Sequence, residues 1–190
     1  MKNILNLIQD RHHTCPWWLC FTFDNPVRAL FQNPVKMLSP YISEGDHVLD
    51  LGPGMGFCSF PMVDMVGEKG LVYAADIQKE MLEAIDEKAE KRKIRNIRTF
   101  LIEEKGLDID ETFSFILLFW MFHEVQDQTA LLEELKAKLK DSGSILLVEP
   151  IVHVSRKAFD SEVELAEKSG FSVECFPKIA ISNAAVLRKG

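Results

Sequence analysis

Short apolar runs recur at 47–51, 71–75, 98–102, 114–119 and 144–148, and between them apolar residues return every three or four positions, near 56–66, 78–93 and 128–140. A run of about five consecutive apolar residues suits a strand buried on both faces, whereas the wider spacing lays an apolar stripe along one side of a helix. The alternation predicts a doubly wound α/β fold, a parallel sheet with helices on both faces. Residues 78–93 show the helical case, with Met81, Leu82, Ile85 and Ala89 on one face and lysines and glutamates elsewhere. Asp127 is placed to N-cap the helix that follows it. After Pro150 a helical pattern over 156–169 leads to Gly170, and the runs FSVECF and AISNAAVLR then predict an antiparallel terminal hairpin.

The chemistry begins where the first run ends. HVLDLGPGMG (47–56) carries Asp50 at the end of a buried strand and glycines at 52, 54 and 56. Such a pattern predicts a strand, a tight turn and a helix start, with a backbone that a ligand can approach closely. LVYAADIQKEML (71–82) reads as a second buried strand ending in Asp76, followed by a helix. A carboxylate at the tip of that strand is placed to accept the ribose hydroxyls of an adenosine.

On these two segments the chain resembles the class I S-adenosylmethionine-dependent methyltransferases, most nearly their small-molecule enzymes, from about residue 40 to the C-terminus. The resemblance implies a seven-stranded, mostly parallel Rossmann-like sheet with a terminal antiparallel hairpin, and S-adenosylmethionine as cofactor. It implies that Asp50 holds the turn and the methionine amino end. Gly52, Gly54 and Gly56 would allow close approach, Asp76 would bind ribose, and Ile77 would lie against adenine. NIRTFLIEE (96–104) matches the third strand, after which Glu103, or failing it Glu104, would read the adenine amino group. FSFILLFWMFHEV (113–125) matches the fourth strand and the floor of the site, with Phe119 and Trp120 bordering the methionine tail. LKDSGSILLVEP (139–150) matches a helix end, a glycine turn and the fifth strand. Ser114 stands where many relatives have aspartate, at the end of the strand away from the cleft.

His123 is the candidate base. Methyl transfer is an in-line displacement that needs a nucleophile aligned about 3 to 3.5 Å from the methyl carbon, and it needs a base only when the acceptor must lose a proton. Histidine titrates in the right range for that, although the ring serves equally to shape its loop. Glu124 either orients this imidazole or has a structural role beside the next helix start.

At 190 residues, 47% of them hydrophobic, the chain suits one domain. Residues 1–40 are expected to form a helical, aromatic lid segment ahead of a cofactor domain over 41–190, and DNP (24–26) looks like a helix start. In that segment Trp17, Trp18, Phe21 and Phe23 either line an acceptor pocket together with His123 or pack the segment on the sheet. His12, His13, Cys15 and Cys20 lack metal-site spacing, so no metal is expected; a thiol-based acceptor site is the lesser alternative. Cys58 and Cys175 read as small apolar core residues.

A net charge of -7 gives no electrostatic footprint for nucleic acid. The basic cluster from Lys88 to Arg95 reads as a solvated helix face. No run approaches a membrane span and the N-terminus does not read as a signal peptide, so a cytoplasmic monomer or homodimer acting on a small-molecule acceptor is expected. The loop after the fourth strand lacks the N/D-P-P-Y/F tetrad of amino-methylating enzymes, and the Tyr-x-x-x-Lys couple of short-chain dehydrogenases is missing. The competing reading is a non-catalytic sensor or partner subunit that binds S-adenosylmethionine or S-adenosylhomocysteine. A nicotinamide oxidoreductase is a more distant one.

Overall fold

The structure, a computed structural model, describes residues 32–103 and 106–190. In chain order these form α1 (Pro34–Leu38), β1 (His47–Leu51), α2 (Ser59–Val66), β2 (Leu71–Asp76), α3 (Lys79–Arg92), β3 (Ile97–Leu101) and β4 (Phe113–Phe119). A 3-10 turn (Phe122–Glu124) follows, then α4 (Gln128–Lys138), β5 (Leu139–Pro150), α5 (Arg156–Lys168), β6 (Phe171–Cys175) and β7 (Ser182–Lys189). The strands make one sheet in the order β3-β2-β1-β4-β5-β7-β6. Strands β1 to β5 run parallel to one another, and β7 pairs antiparallel with both β5 and β6. The expected doubly wound sheet with its terminal hairpin is the fold.

Period-two alternation divides the core. Leu49, Leu51, Ile116, Leu118, Ile145 and Leu147 face one side, where they bury Leu131 and Leu135 of α4 and Phe159 and Val163 of α5. Val48, Phe115, Leu117, Leu146 and Val148 face the other, against Leu38 of α1 and Met62 and Val66 of α2. The stripe foreseen on α3 closes over β2, with Ile85 and Ala89 packed against Ala74 and Phe60. Caps fix the helix starts: Asp127 Oδ1 accepts from Ala130 N at 3.0 Å and Ser155 Oγ from Ala158 N at 3.2 Å.

Three expectations need correction. The whole of 139–150 belongs to β5 rather than to a helix end and a glycine turn; Leu139 pairs with Phe113 and Ser144 with Phe115, so residues 140–143 form an irregularity within the strand. The glycine-rich segment is a run of turns, and α2 starts only at Ser59, because a positive φ of 89° at Gly56 is incompatible with helix. Cys175 is exposed, lying on the edge strand β6, whereas Cys58 is buried as expected.

Register decides where the site lies. Leu51 pairs with Ala75 on one side and Leu118 on the other, so the loops after β1, β2 and β4 leave the sheet together. The chain winds outward in both directions from β1 and β4, and ligands of such sheets bind in the crevice at that point, outside the carboxyl ends of the strands.

Candidate cofactor and active site

Past Leu51 the chain leaves the sheet through Gly52-Pro53-Gly54-Met55-Gly56. A Cβ at Gly56 would lie 2.7 Å from Phe60 Cε2, so this position is closed to any side chain. At Gly54, where φ is +54°, a Cβ would meet nothing within 4 Å. There the bare backbone faces open space, which an approaching ligand can use. Lys88 Nζ, reaching from α3, donates to the Met55 carbonyl at 2.8 Å and fastens the turn from behind. Lys88 is thus more than part of a solvated face, as is Arg92, whose guanidinium lies 4.7 Å over the Phe60 ring.

Asp50 is 1% exposed, and its Oδ2 accepts a 2.6 Å hydrogen bond from Ser59 Oγ at the start of α2. Burial pushes its pKa up to about 6, with the Ser59 bond working the other way. Asp76, at the tip of β2 and 7% exposed, accepts from Gln78 N at 2.9 Å. Burial pushes its pKa up to about 7; the Gln78 and Ile77 amides lower it, and the charges of Asp50 and Glu124 raise it again. A carboxyl so buried lacks enough donors to stabilise its charge, and the two hydroxyls of a ribose would supply them. Ile77 beside it is partly buried against the core.

Ile102 N donates to Asp76 O at 2.8 Å, which keeps the chain after β3 next to that acid. Glu103 then follows, exposed, with its carbonyl accepting from Gly106 N at 2.9 Å. Its fallback, Glu104, lies outside the described residues, as do Trp17, Trp18, Phe21, Phe23, the helix start at 24–26 and the N-terminal histidines and cysteines.

On the other flank, Phe119 and Trp120 stack with ring centroids 5.2 Å apart. Trp120 sits at φ +60°, a left-handed conformation costing a bulky residue about 1 to 3 kcal/mol. Two hydrogen bonds hold it there, from its backbone N to Val148 O (2.8 Å) and from its indole Nε1 to Ser182 Oγ (2.9 Å). The next side chain, Met121, comes within 3.0 Å of where a Cβ of Gly52 would be, so the loop after β4 abuts the glycine turn.

His123 lies in the 3-10 turn beyond, its side chain 23% exposed. Its Nδ1 is 2.5 Å from Glu149 Oε2, and its backbone N donates to Glu149 Oε1 at 3.1 Å. Burial alone would lower the imidazole pKa, but the Glu149 bond and charge, with Glu124 and Glu162 behind them, raise it. The residue bonded to the ring is therefore Glu149, not the adjacent Glu124. Sequence reasoning passed over Glu149 and Glu162. Both carried a signal: Glu149 closes an apolar strand just as Asp76 does, and Glu162 interrupts the apolar stripe Phe159, Val163, Ala166 of α5. Among the described residues, no three or more His, Cys, Asp or Glu are grouped to hold a metal ion, and no helix is long and apolar enough to cross a membrane.

The Methyltransferase domain family matches residues 42–180, most of the chain. The protein belongs to the class I S-adenosylmethionine-dependent methyltransferases. An S-adenosylmethionine-dependent methyltransferase from Aquifex aeolicus has the same fold, with a TM-score of 0.82 and 28% identity over 92% of this chain and 98% of that one. The ubiquinone/menaquinone biosynthesis C-methyltransferase of Francisella tularensis subsp. novicida is 32% identical over 124 residues, 63% of this chain and 50% of that protein. An aklanonic acid methyltransferase from a Streptomyces species is 39% identical over 59 residues, 31% of this chain and 27% of its own. This chain thus spans half the length of the Francisella relative or less of the Streptomyces one.

The residues present fit the family's cofactor. The open face of Gly54 admits a ligand against bare backbone, and the donor-poor acid Asp76 stands one strand away. When bound, S-adenosylmethionine supplies an electrophilic methyl group on a sulfonium.

Proposed function

We propose that the protein transfers a methyl group from S-adenosylmethionine to a small, partly aromatic or apolar acceptor. The observation that carries this reading is the pairing of Asp76, a buried acid short of donors, with the open backbone at Gly54 across the β1–β2 crevice. Asp76 accepts the ribose hydroxyls, Ile77 packs on adenine, and Glu103 takes the adenine amino group. Asp50 holds the turn and the methionine amino end, while the stacked Phe119 and Trp120 border the methionine tail. The small-molecule methylations named for the Francisella and Streptomyces relatives support the acceptor class.

Trp17, Trp18 and Phe23 from the 1–40 segment complete the acceptor pocket with His123. Support comes from Gln32, whose Nε2 donates to Ala180 O at 2.9 Å and lies 3.4 Å from Ser182 Oγ, the same hydroxyl that takes the Trp120 indole. The chain is thereby brought at residue 32 to the aromatic edge of the cleft. The domain acts as a monomer or homodimer in the cytoplasm and needs neither metal, membrane nor nucleic acid.

Calorimetric titration tests the reading. Micromolar binding of S-adenosylmethionine and S-adenosylhomocysteine, with no binding of NADH, is the expected result, and silence toward the first two overturns it. Release of S-adenosylhomocysteine on turnover then separates an enzyme from a binding-only sensor.

A further inference from the structure

Behind His123 lies a buried set of acids that cofactor binding does not employ. Glu149, at the end of β5, is fully buried and spends both oxygens on one residue, Oε1 on the His123 amide and Oε2 on the His123 ring. Glu162 of α5 is 7% exposed, and its Oε2 is a buried oxygen without a hydrogen-bond partner. The His153 ring lies nearly parallel to the imidazole, at 7° and 6.2 Å between centroids. Among the described residues, the charged or titratable groups around His123 are thus Glu124 on its own turn, Glu149 on β5, Glu162 on α5 and His153 after β5. Among the described residues His123 Nε2 has no hydrogen-bond partner.

A carboxylate at Nδ1 can only be bonded by an N–H there. The ring is then either the Nδ1–H tautomer, with a free lone pair on Nε2, or imidazolium. A two-point grip on ring and backbone also fixes the ring plane.

We propose that Glu149 is a positioning residue that holds His123 as the Nδ1–H tautomer so that Nε2 can take a proton from the methyl acceptor, and that the acceptor is accordingly an O–H or activated C–H compound rather than an amine or a thioether. This rests on the methyltransferase reading above. Nε2 takes the acceptor's proton, the freed pair on oxygen or carbon forms the bond to the methyl carbon, and the pair of the broken carbon–sulfur bond remains on sulfur. Positive charge moves from sulfonium to imidazolium, where the Glu149 carboxylate awaits it. Burial and the neighbouring Glu149 push the pKa of the Glu162 carboxyl up to about 8, against the His123 charge and a Gln128 hydrogen bond that lower it.

The test begins with nitrogen-15 NMR of the histidine side chains in the full protein with S-adenosylhomocysteine, the His123 signals being assigned by their loss in His123→Ala. The Nδ1–H tautomer is expected in the wild-type protein, and in Glu149→Gln the His123 pKa should fall by about one pH unit or more. An Nε2–H tautomer in the wild-type protein overturns the proposal whether or not the variant folds. Methyl-labelled S-adenosylmethionine is then offered with a hydroquinone, a 1,3-diketone and a primary amine. Transfer to the first two, reduced at least tenfold in Glu149→Gln with S-adenosylhomocysteine affinity unchanged, is expected. Transfer to the amine alone, or to none of the three, overturns the acceptor class. Failure to bind S-adenosylhomocysteine would instead condemn the methyltransferase reading, and the tautomer result stands apart from it.

Discussion

Ser59 Oγ donates to Asp50 Oδ2 at 2.6 Å, a buried bond that joins the end of β1 to the first residue of α2 across the glycine turn. Removing the hydroxyl leaves the Asp50 carboxylate without that donor. With a native pKa of about 6, Asp50 is largely neutral at pH 5 and charged at pH 8. Ser59→Ala should therefore destabilise the protein by about 1 to 3 kcal/mol at pH 8 and by distinctly less at pH 5. Urea denaturation at the two pH values measures this, and equal losses would refute it.

Asp76 offers a proton-linked signal. Its native pKa of about 7 in the free protein should drop when ribose hydroxyls donate to it, because those bonds favour the charged form. Binding of S-adenosylhomocysteine near pH 7 should release a fraction of a proton and strengthen as pH rises from 6 to 8. Calorimetry in buffers of different ionisation enthalpy reads the proton directly. Asp76→Ala should abolish the release and weaken binding at least tenfold, as loss of charge-assisted bonds worth about 1.5 to 3 kcal/mol each requires.

Two glycines separate ligand approach from internal packing. Gly56→Ala places a methyl 2.7 Å from Phe60 Cε2 at a positive φ, so it should lower the melting temperature markedly. Gly54→Ala meets nothing within 4 Å and suffers only the left-handed backbone cost of about 1 to 2 kcal/mol. Its main effect should be on S-adenosylmethionine affinity, since the added methyl occupies the space assigned to the ligand. Thermal melts and titrations of both variants check the contrast, and unimpaired cofactor binding by Gly54→Ala would count against the site.

Glu162 should set part of the pH dependence of stability. A carboxyl whose pKa is raised from 4.5 to about 8 on folding binds more protons in the native than in the unfolded state between those values. Its contribution to stability is thus greatest at low pH and declines as pH rises from about 4.5 to 8. Glu162→Gln should flatten that decline while retaining the fold, and an unaltered slope in denaturation curves would show that the acid titrates normally.

Much of the site was legible because it is local. Asp50, the glycines and Asp76 lie at or just past the ends of two strands within two short segments, and a strand end needs only a few neighbours in sequence to be recognised. Asp127 was readable for the same reason: a cap bonds an amide three residues on. The partner of His123 was not readable. Glu124 is its chain neighbour, yet the bond comes from Glu149, because parallel pairing sets Phe119 against Val148 and so brings the end of β5 beside the turn after β4. Sequence likewise misread 139–143, whose polar residues suggest a turn although Leu139 already pairs with Phe113.

By itself the sequence determined the doubly wound sheet, the order of its strands and helices along the chain, and the candidate site residues at the ends of β1 and β2, since period and turn chemistry act over a few residues. Tertiary structure alone decided the ionisation of Asp50 and Asp76, the strained placement of Trp120 over Ser182 and the His123–Glu149 pair. Each of those depends on burial or on contacts between residues far apart in the chain, and neither follows from the pattern along it.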